Sequence, residues 1–371
     1  MKEEHNRPAS DCELDTMPAP EHTENPGADY HIGLLANYPD SEETRFFLTP
    51  ETCGILISSG LTITMEAGAG IDISFSDDAY AEQGVVIADR EKVLAAGVIL
   101  SYEPPRVADL RKVTPGATVL CIMTPKLFEP EAVKILLERQ ITLGCLDNMY
   151  SHNEVPIFAN IIDEIDGRAA IMYAQDHLSF LGGGKGVLLA GVAGINPCEV
   201  LIIGCGVAVI AAARAARSAG ASVTVMNNDI TSLYQLQPEC GDDIVTLAIH
   251  PRVLCNKAKS ADVILIGSTD RPFEFPKNLM GVLKENVYLL DMRNAHPSMS
   301  VPRTVAMALS NVLVHFLGEI LLMHGFDGMI ATQEGVQQGI VTFRGKLVDK
   351  LVGTYLGLPS IDIHVMLAGH N

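Results

Sequence analysis

Residues 199–229 hold the chain's densest chemistry. An apolar run, Val200-Leu-Ile-Ile203, ends in Gly204-Cys205-Gly206; an alanine-rich stretch with Arg214 and Arg217 then leads to Gly220-Ala-Ser-Val-Thr-Val225 and Asn227. A short buried strand, a glycine turn, a helix and a second strand, in this order, form the first half of a dinucleotide-binding βαβ unit. Gly204 permits the tight turn, and Gly206 lets backbone N–H groups, with Val207 opening the helix, approach a pyrophosphate. Two positions depart from the pattern. Val209 stands at the third glycine position, and Asn227 stands where an acid would grip the ribose. The implied ligand is a dinucleotide, held weakly at Gly204, Gly206, Val207 and Asn227. No arginine stands beside Asn227 in the sequence to hold the 2′-phosphate of NADP.

Other motifs carry less. Gly182-Gly-Gly-Lys185-Gly186 resembles a phosphate loop, but glycine follows the lysine where Ser or Thr is required, so a connecting loop is the better reading. The eight cysteines form no pair at metal-ligand spacing, and those in apolar runs (Cys121, Cys145, Cys205) read as free thiols. No metal is expected, and a reducing cytoplasm fits. A formal net charge of −19 argues against nucleic acid and anionic membrane surfaces as partners. Residues 1–29 are polar and acidic, without the apolar segment of a signal peptide, and read as a disordered tail. Asn311, His315 and Glu319 interrupt the apolar run 305–323, which reads as a buried helix of a soluble protein.

The elements that must position these groups alternate along the chain. Strands are expected at 61–66, 85–88, 98–101, 118–123 and 141–146, with helices at 50–59, 77–83, 90–96 and 130–139. A helix over 161–181, closed by Gly182–Gly184, precedes the βαβ unit. Strands at 243–248, 263–267 and 287–291 follow, then a long helix over 302–324. Residues 325–371 read as helical, broken by Gly335, Gly339, Gly345, Gly353 and Gly357. This alternation predicts an α/β fold of two domains with parallel sheets, in which a Rossmann-type nucleotide domain is inserted into a substrate domain. The expected limits are 30–154 with 325–371 for the substrate domain, 155–301 for the nucleotide domain, and 302–324 for an interdomain helix.

Several segments together carry a resemblance: Arg45-Phe-Phe-Leu-Thr-Pro50, Gly68-Ala-Gly70, Gly183–Val192, the βαβ unit, Val301-Pro-Arg-Thr304 and Ala308-Leu-Ser-Asn311. The chain resembles the alanine dehydrogenase / transhydrogenase α-subunit family over most of 30–368, and the alanine dehydrogenase branch more closely. The resemblance implies oxidation of L-alanine to pyruvate and ammonia with NAD, in a cleft between the two domains. It further implies an arginine and a lysine on the substrate, a histidine for acid/base steps and an aspartate near the reacting centre.

Carried over by position, only the arginine is present, as Arg45. It would hold the substrate carboxylate or, as a structural group, pair with Glu42, Glu43 or Glu66. Ser101-Tyr102-Glu103 occupies the lysine's stretch, Thr124 the histidine's place, and Asp291–Ala295 runs almost directly into His296 where the aspartate should follow. Two readings follow. The favoured one is a degenerate paralogue, a pseudoenzyme with weak or no catalysis that serves as a non-catalytic subunit or sensor. The alternative is an active NAD-dependent oxidoreductase acting on L-alanine or another small amino acid, with the amino acid or 2-oxo acid as its small-molecule partner. A homo-oligomer is expected, with a hetero-oligomer left open.

Overall fold

The computed structural model describes residues 30–125, 127–241 and 243–368. The acidic tail expected over 1–29 lies outside the described residues. Six short strands build the first sheet: β1 (His31–Leu34), β2 (Thr62–Glu66), β3 (Val86–Ala88), β4 (Val98–Ser101), β5 (Thr118–Cys121) and β6 (Thr142–Cys145). They pair in parallel in the order β6-β5-β4-β1-β2-β3. Both faces are covered, which is why the strands read as unbroken apolar runs. Leu100 and Leu120 enter the core on one face, while Ile99 and Val119 enter the core on the other.

The second sheet contains β7 (Glu199–Ile203), β8 (Ser222–Asn227), β9 (Val245–Ala248), β10 (Val263–Ile266) and β11 (Tyr288–Asp291), all parallel, in the order β11-β10-β7-β8-β9. The order reverses between β7 and β10, and ligands of such sheets bind outside the strand ends at that point. Val200 and Ile202 face one core, Leu201 and Ile203 the other.

Helix Ala159–Leu178 serves both halves. Phe158, Ile162 and Ile165 at its start pack in the first core, while Ala170, Ile171, Ala174 and Leu178 pack in the second. Its Gly167 lies so near helix Val207–Ser218 that a Cβ there would fall 2.1 Å from the Ala208 carbonyl oxygen. The helix stops at Leu178 rather than at 181. The Ser179 hydroxyl bonds the Asp176 carbonyl and accepts the Gly182 N–H, which turns the chain before the glycines are reached. Helix Pro302–Leu322 is apolar and long enough to cross a membrane, but it places Val305, Ala306, Leu309 and Leu313 in the first core.

The C-terminal region differs from the helical reading. It contains a hairpin, β12 (Ile340–Phe343) and β13 (Lys346–Leu347), and β12 adds antiparallel to β6. The turn residues Arg344 and Gly345 both have positive φ, 46° and 77°, as a two-residue hairpin turn that follows the strand twist requires. The β-branched run Ile340-Val-Thr next to a Gly-containing turn was a strand signal that the many glycine breaks obscured.

Candidate functional site

The crevice of the second sheet forms where β7 ends. Gly204 (φ 121°) passes beneath the strand-end loop of β10, and a Cβ there would lie 2.3 Å from the Ser268 carbonyl oxygen. No L-residue with a side chain fits that crossing. Gly206 (φ 96°) is different: a Cβ there would meet nothing within 4 Å, and the residue immediately precedes helix Val207–Ser218. Among the described residues no protein acceptor meets the N–H groups of Gly206, Val207 or Ala208. The Cys205 N–H, by contrast, is committed to the Ser268 carbonyl at 2.7 Å. The turn therefore fits a pyrophosphate through the helix N-terminus.

Val209, at the third glycine position, is turned into the contact between the helix and the sheet. It is fully buried, and its Cγ2 sits 2.4 Å from where a Cβ on Gly267 would be. Gly267 on the neighbouring strand end makes the room that a glycine at 209 would have made. The close helix–sheet packing is kept by moving the small residue across the contact.

Asn227, at the end of β8, is fully buried. Its Nδ2 donates to Asp270 Oδ2 at 2.6 Å, and its Oδ1 has no hydrogen-bond partner. Asp270 lies three residues beyond Gly267, in the loop after β10, and is exposed. It also faces the Ser232 hydroxyl at 3.4 Å and the Cys205 thiol at 3.8 Å. Burial raises the pKa of that thiol, and Asp270 adds to the shift. Asp229 caps helix Ile230–Cys240 by accepting from the Thr231 and Ser232 N–H groups, and the Ser232 bonds hold its carboxyl below the usual range.

Arg45 stands between the two halves and is only 1 % exposed. Its Nε donates to Glu43 Oε1 at 2.7 Å and its Nη2 to Glu43 Oε2 at 2.6 Å. Nη1 donates to the Ser298 hydroxyl at 3.0 Å, and Nη2 also reaches Met123 Sδ at 3.1 Å. The Tyr102 ring lies 4.6 Å from the guanidinium carbon. Burial lowers the pKa of Arg45, but the Glu43 hydrogen bonds together with the nearby Tyr102, Glu43 and Asp166 charges raise it above the ordinary value. Ser298 is held in turn by Asp166, whose Oδ1 accepts the Ser298 N–H at 2.6 Å. The Thr44 hydroxyl bonds the Met299 carbonyl, so residues 43–45 are latched to the segment that follows the second sheet.

Most of the neighbouring polar groups are engaged by partners of their own chain, the Tyr102 hydroxyl excepted. Tyr102 is buried with its hydroxyl unpartnered, and burial pushes its phenol well above the ordinary range. Glu103 accepts from the Ser41 hydroxyl at 2.9 Å. The Thr124 N–H and hydroxyl both donate to Asp147, at 2.8 and 2.6 Å, and Asn148 Nδ2 donates back to Thr124 Oγ1. Arg293 forks onto Asp291 and the Phe273 carbonyl. Lys185 pairs with Asp262, which also binds Lys284, so the glycine-rich loop holds a structural ion pair.

Sequence reasoning missed Asp163, Asp166 and Asp270. Burial, with Asp166 one turn away, raises the Asp163 carboxyl from 3.8 to about 6. The available signal was two acids spaced i, i+3 among the isoleucines that open the helix; Asp270 had no local signal.

Two sheets joined by a shared helix, with a glycine turn and a helix N-terminus at the switch point of the second, define a two-domain α/β protein of the dinucleotide-binding class. More particularly, the chain belongs to the alanine dehydrogenase/PNT family. The family's N-terminal domain model matches residues 38–161 and its C-terminal domain model residues 170–273. The chain is similar to the alanine dehydrogenase of Bacillus subtilis, 27% identical over 352 residues that cover 85% of this chain and 92% of the relative. It is also similar to that of Mycobacterium tuberculosis, 26% identical over 371 aligned positions that cover 88% and 97%. A solved L-alanine dehydrogenase shares the fold with a TM-score of 0.77 at 19% identity, covering 91% and 99% of the two chains. The transhydrogenase from Sinorhizobium meliloti does so with a TM-score of 0.71 at 18% identity, covering 86% and 99%.

Proposed function

We propose that this chain is a family member that has lost amino-acid deamination and retains a dinucleotide crevice, so that it serves as a non-catalytic subunit or sensor. One observation carries the reading: the guanidinium of Arg45 is closed by a carboxylate of its own chain. Glu43 takes the Nε/Nη2 edge and Ser298 an N–H of Nη1, with the Tyr102 ring against the guanidinium plane. A substrate carboxylate would have to displace Glu43 and leave that acid buried without its partner, which costs several kcal/mol. Thr124, bonded to Asp147, offers no group that takes a proton near neutral pH, and Tyr102 supplies no fixed positive charge.

A dinucleotide in the crevice of the second sheet would supply a hydride donor or acceptor. The chain's own part is to hold it: the N–H groups of Gly206 and Val207 on the pyrophosphate, and the Asn227 region at the ribose. NAD is the proposed cofactor, in a cytoplasmic protein that works as a homo- or hetero-oligomer.

Asp163 supports the alternative, an active oxidoreductase on L-alanine or another small amino acid. A carboxyl raised to about 6 and one turn from the Arg45–Ser298–Asp166 chain could exchange protons in place of a histidine. One assay separates the readings. Purified protein is incubated with NAD and L-alanine, and separately with NADH, pyruvate and ammonium, while nicotinamide absorbance is followed. The proposal expects no turnover above the enzyme-free rate. Turnover that Asp163→Asn abolishes would replace it with the alternative.

A further inference from the structure

We infer that Asp270 supplies the carboxylate that β8 lacks, so that Asp270 and Asn227 together form a composite ribose site selective for an unphosphorylated 2′-hydroxyl. The inference rests on the proposed dinucleotide crevice and extends it to a specificity-determining residue. In βαβ sites the ribose hydroxyls bond an acid at the end of the second strand. Here that position is Asn227, whose buried amide cannot offer a charged acceptor. Asp270 reaches the same place from another strand, since its Oδ2 is 2.6 Å from Asn227 Nδ2. The carboxylate thus stands one hydrogen-bond distance, 2.6 Å, from the side-chain end of the β8 position where that acid would be. It comes from the loop after β10, which crosses directly over Gly204 and faces the switch point.

The chemistry is that of a diol clamp. Asn227 Nδ2 fixes one Asp270 oxygen, leaving the exposed carboxylate free lone pairs for the two ribose hydroxyls. Ser232 sits at 3.4 Å as an adjustable hydroxyl on the same carboxylate. The unpartnered Asn227 Oδ1 matches an amide rotated to serve Asp270 rather than a ligand. A 2′-phosphate in this position would face the Asp270 charge and the Asp229 charge beside it, both of the same sign as its own. The site therefore takes NAD(H) and rejects NADP(H).

The test is calorimetric titration of the full chain, and of Asp270→Ala, Asp270→Asn and Arg271→Ala, with NADH and with NADPH. Asp270 is exposed, so these variants should fold, and melting curves check that they do. Wild type should bind NADH in preference to NADPH. Asp270→Ala should weaken NADH about 10- to 100-fold, the worth of a charge-assisted hydrogen bond, and narrow the gap to NADPH, with Asp270→Asn between. Equal NADH affinity in wild type and Asp270→Ala would overturn the inference and leave the crevice standing. So would binding gained on removing Asp270, which would make it a barrier, or NADPH binding that Arg271→Ala abolishes. Binding by none of the proteins would remove the crevice reading and the inference with it.

Discussion

Glu43→Ala tests whether Arg45 is a closed structural group or an open anion site. In the wild type the pair has two N–O distances of 2.6 and 2.7 Å, and its side chains are 1 % and 6 % exposed. The Arg45 backbone N–H adds a third bond to the same carboxylate at 2.8 Å. Removing the acid leaves a guanidinium buried with only Ser298, Met123 and the Tyr102 ring around it. Breaking such a buried pair costs about 3–5 kcal/mol, a large part of a total stability of roughly 5–15 kcal/mol. Arg45→Ala should cost a similar amount, because it strands Glu43. The double substitution should fall short of the sum by about 2–3 kcal/mol, since the two residues share one interaction. Urea unfolding followed by circular dichroism and tyrosine fluorescence measures all three, the chain having no tryptophan. The vacated carboxylate site gives a second readout. Acetate or pyruvate at about one hundred times its dissociation constant should restore about 2.7 kcal/mol to Glu43→Ala and nothing to wild type. A cost below about 1 kcal/mol for either single substitution, or anions that stabilise wild type as much as the variant, would show that Arg45 is not a closed structural group.

Other outcomes follow from single contacts. The Asp163 carboxyl is raised from 3.8 to about 6, so between those values the folded chain keeps a proton that the unfolded chain has released. Stability contributed by this group is therefore present below the window and lost as pH rises through about 6. Asp163→Asn should remove that slope and stabilise the protein at neutral pH by up to about 3 kcal/mol, with no gain in acid; thermal melts across the pH range check both. Gly267→Ala should cost about 1–3 kcal/mol, because its methyl would overlap Val209, and Val209→Gly in the same chain should recover much of the loss. Gly206→Ala should destabilise by about 1–3 kcal/mol through its positive φ and block NADH in calorimetry by placing a methyl group in the pyrophosphate approach.

Much of the architecture was legible because it is written in short-range pattern. Runs such as Val200–Ile203 and Thr118–Cys121 are apolar on both faces, and a strand covered on both faces needs nothing more distant than its own residues to be read. The glycine turn was legible for the same reason, since positive φ at Gly204 and Gly206 is a local demand. The ion pair of Arg45 was one of the options visible in the sequence, because Glu43 lies two residues away. What lay beyond reach were contacts set by strand order. Asp270 meets Asn227 across 43 residues, and Ser298 meets Arg45 across 253, only because the sheets bring those strand ends and loops to one place. Likewise nothing near Val209 announced that Gly267 would make room for it. The sequence alone determined the α/β class, the two sheets and the nucleotide-type turn, because backbone conformation and face-by-face burial depend on neighbours a few residues apart. Only the tertiary structure decided which carboxylate answers which amide or guanidinium, because hydrogen bonding and charge pairing depend on distances of about 3 Å that chain spacing does not encode.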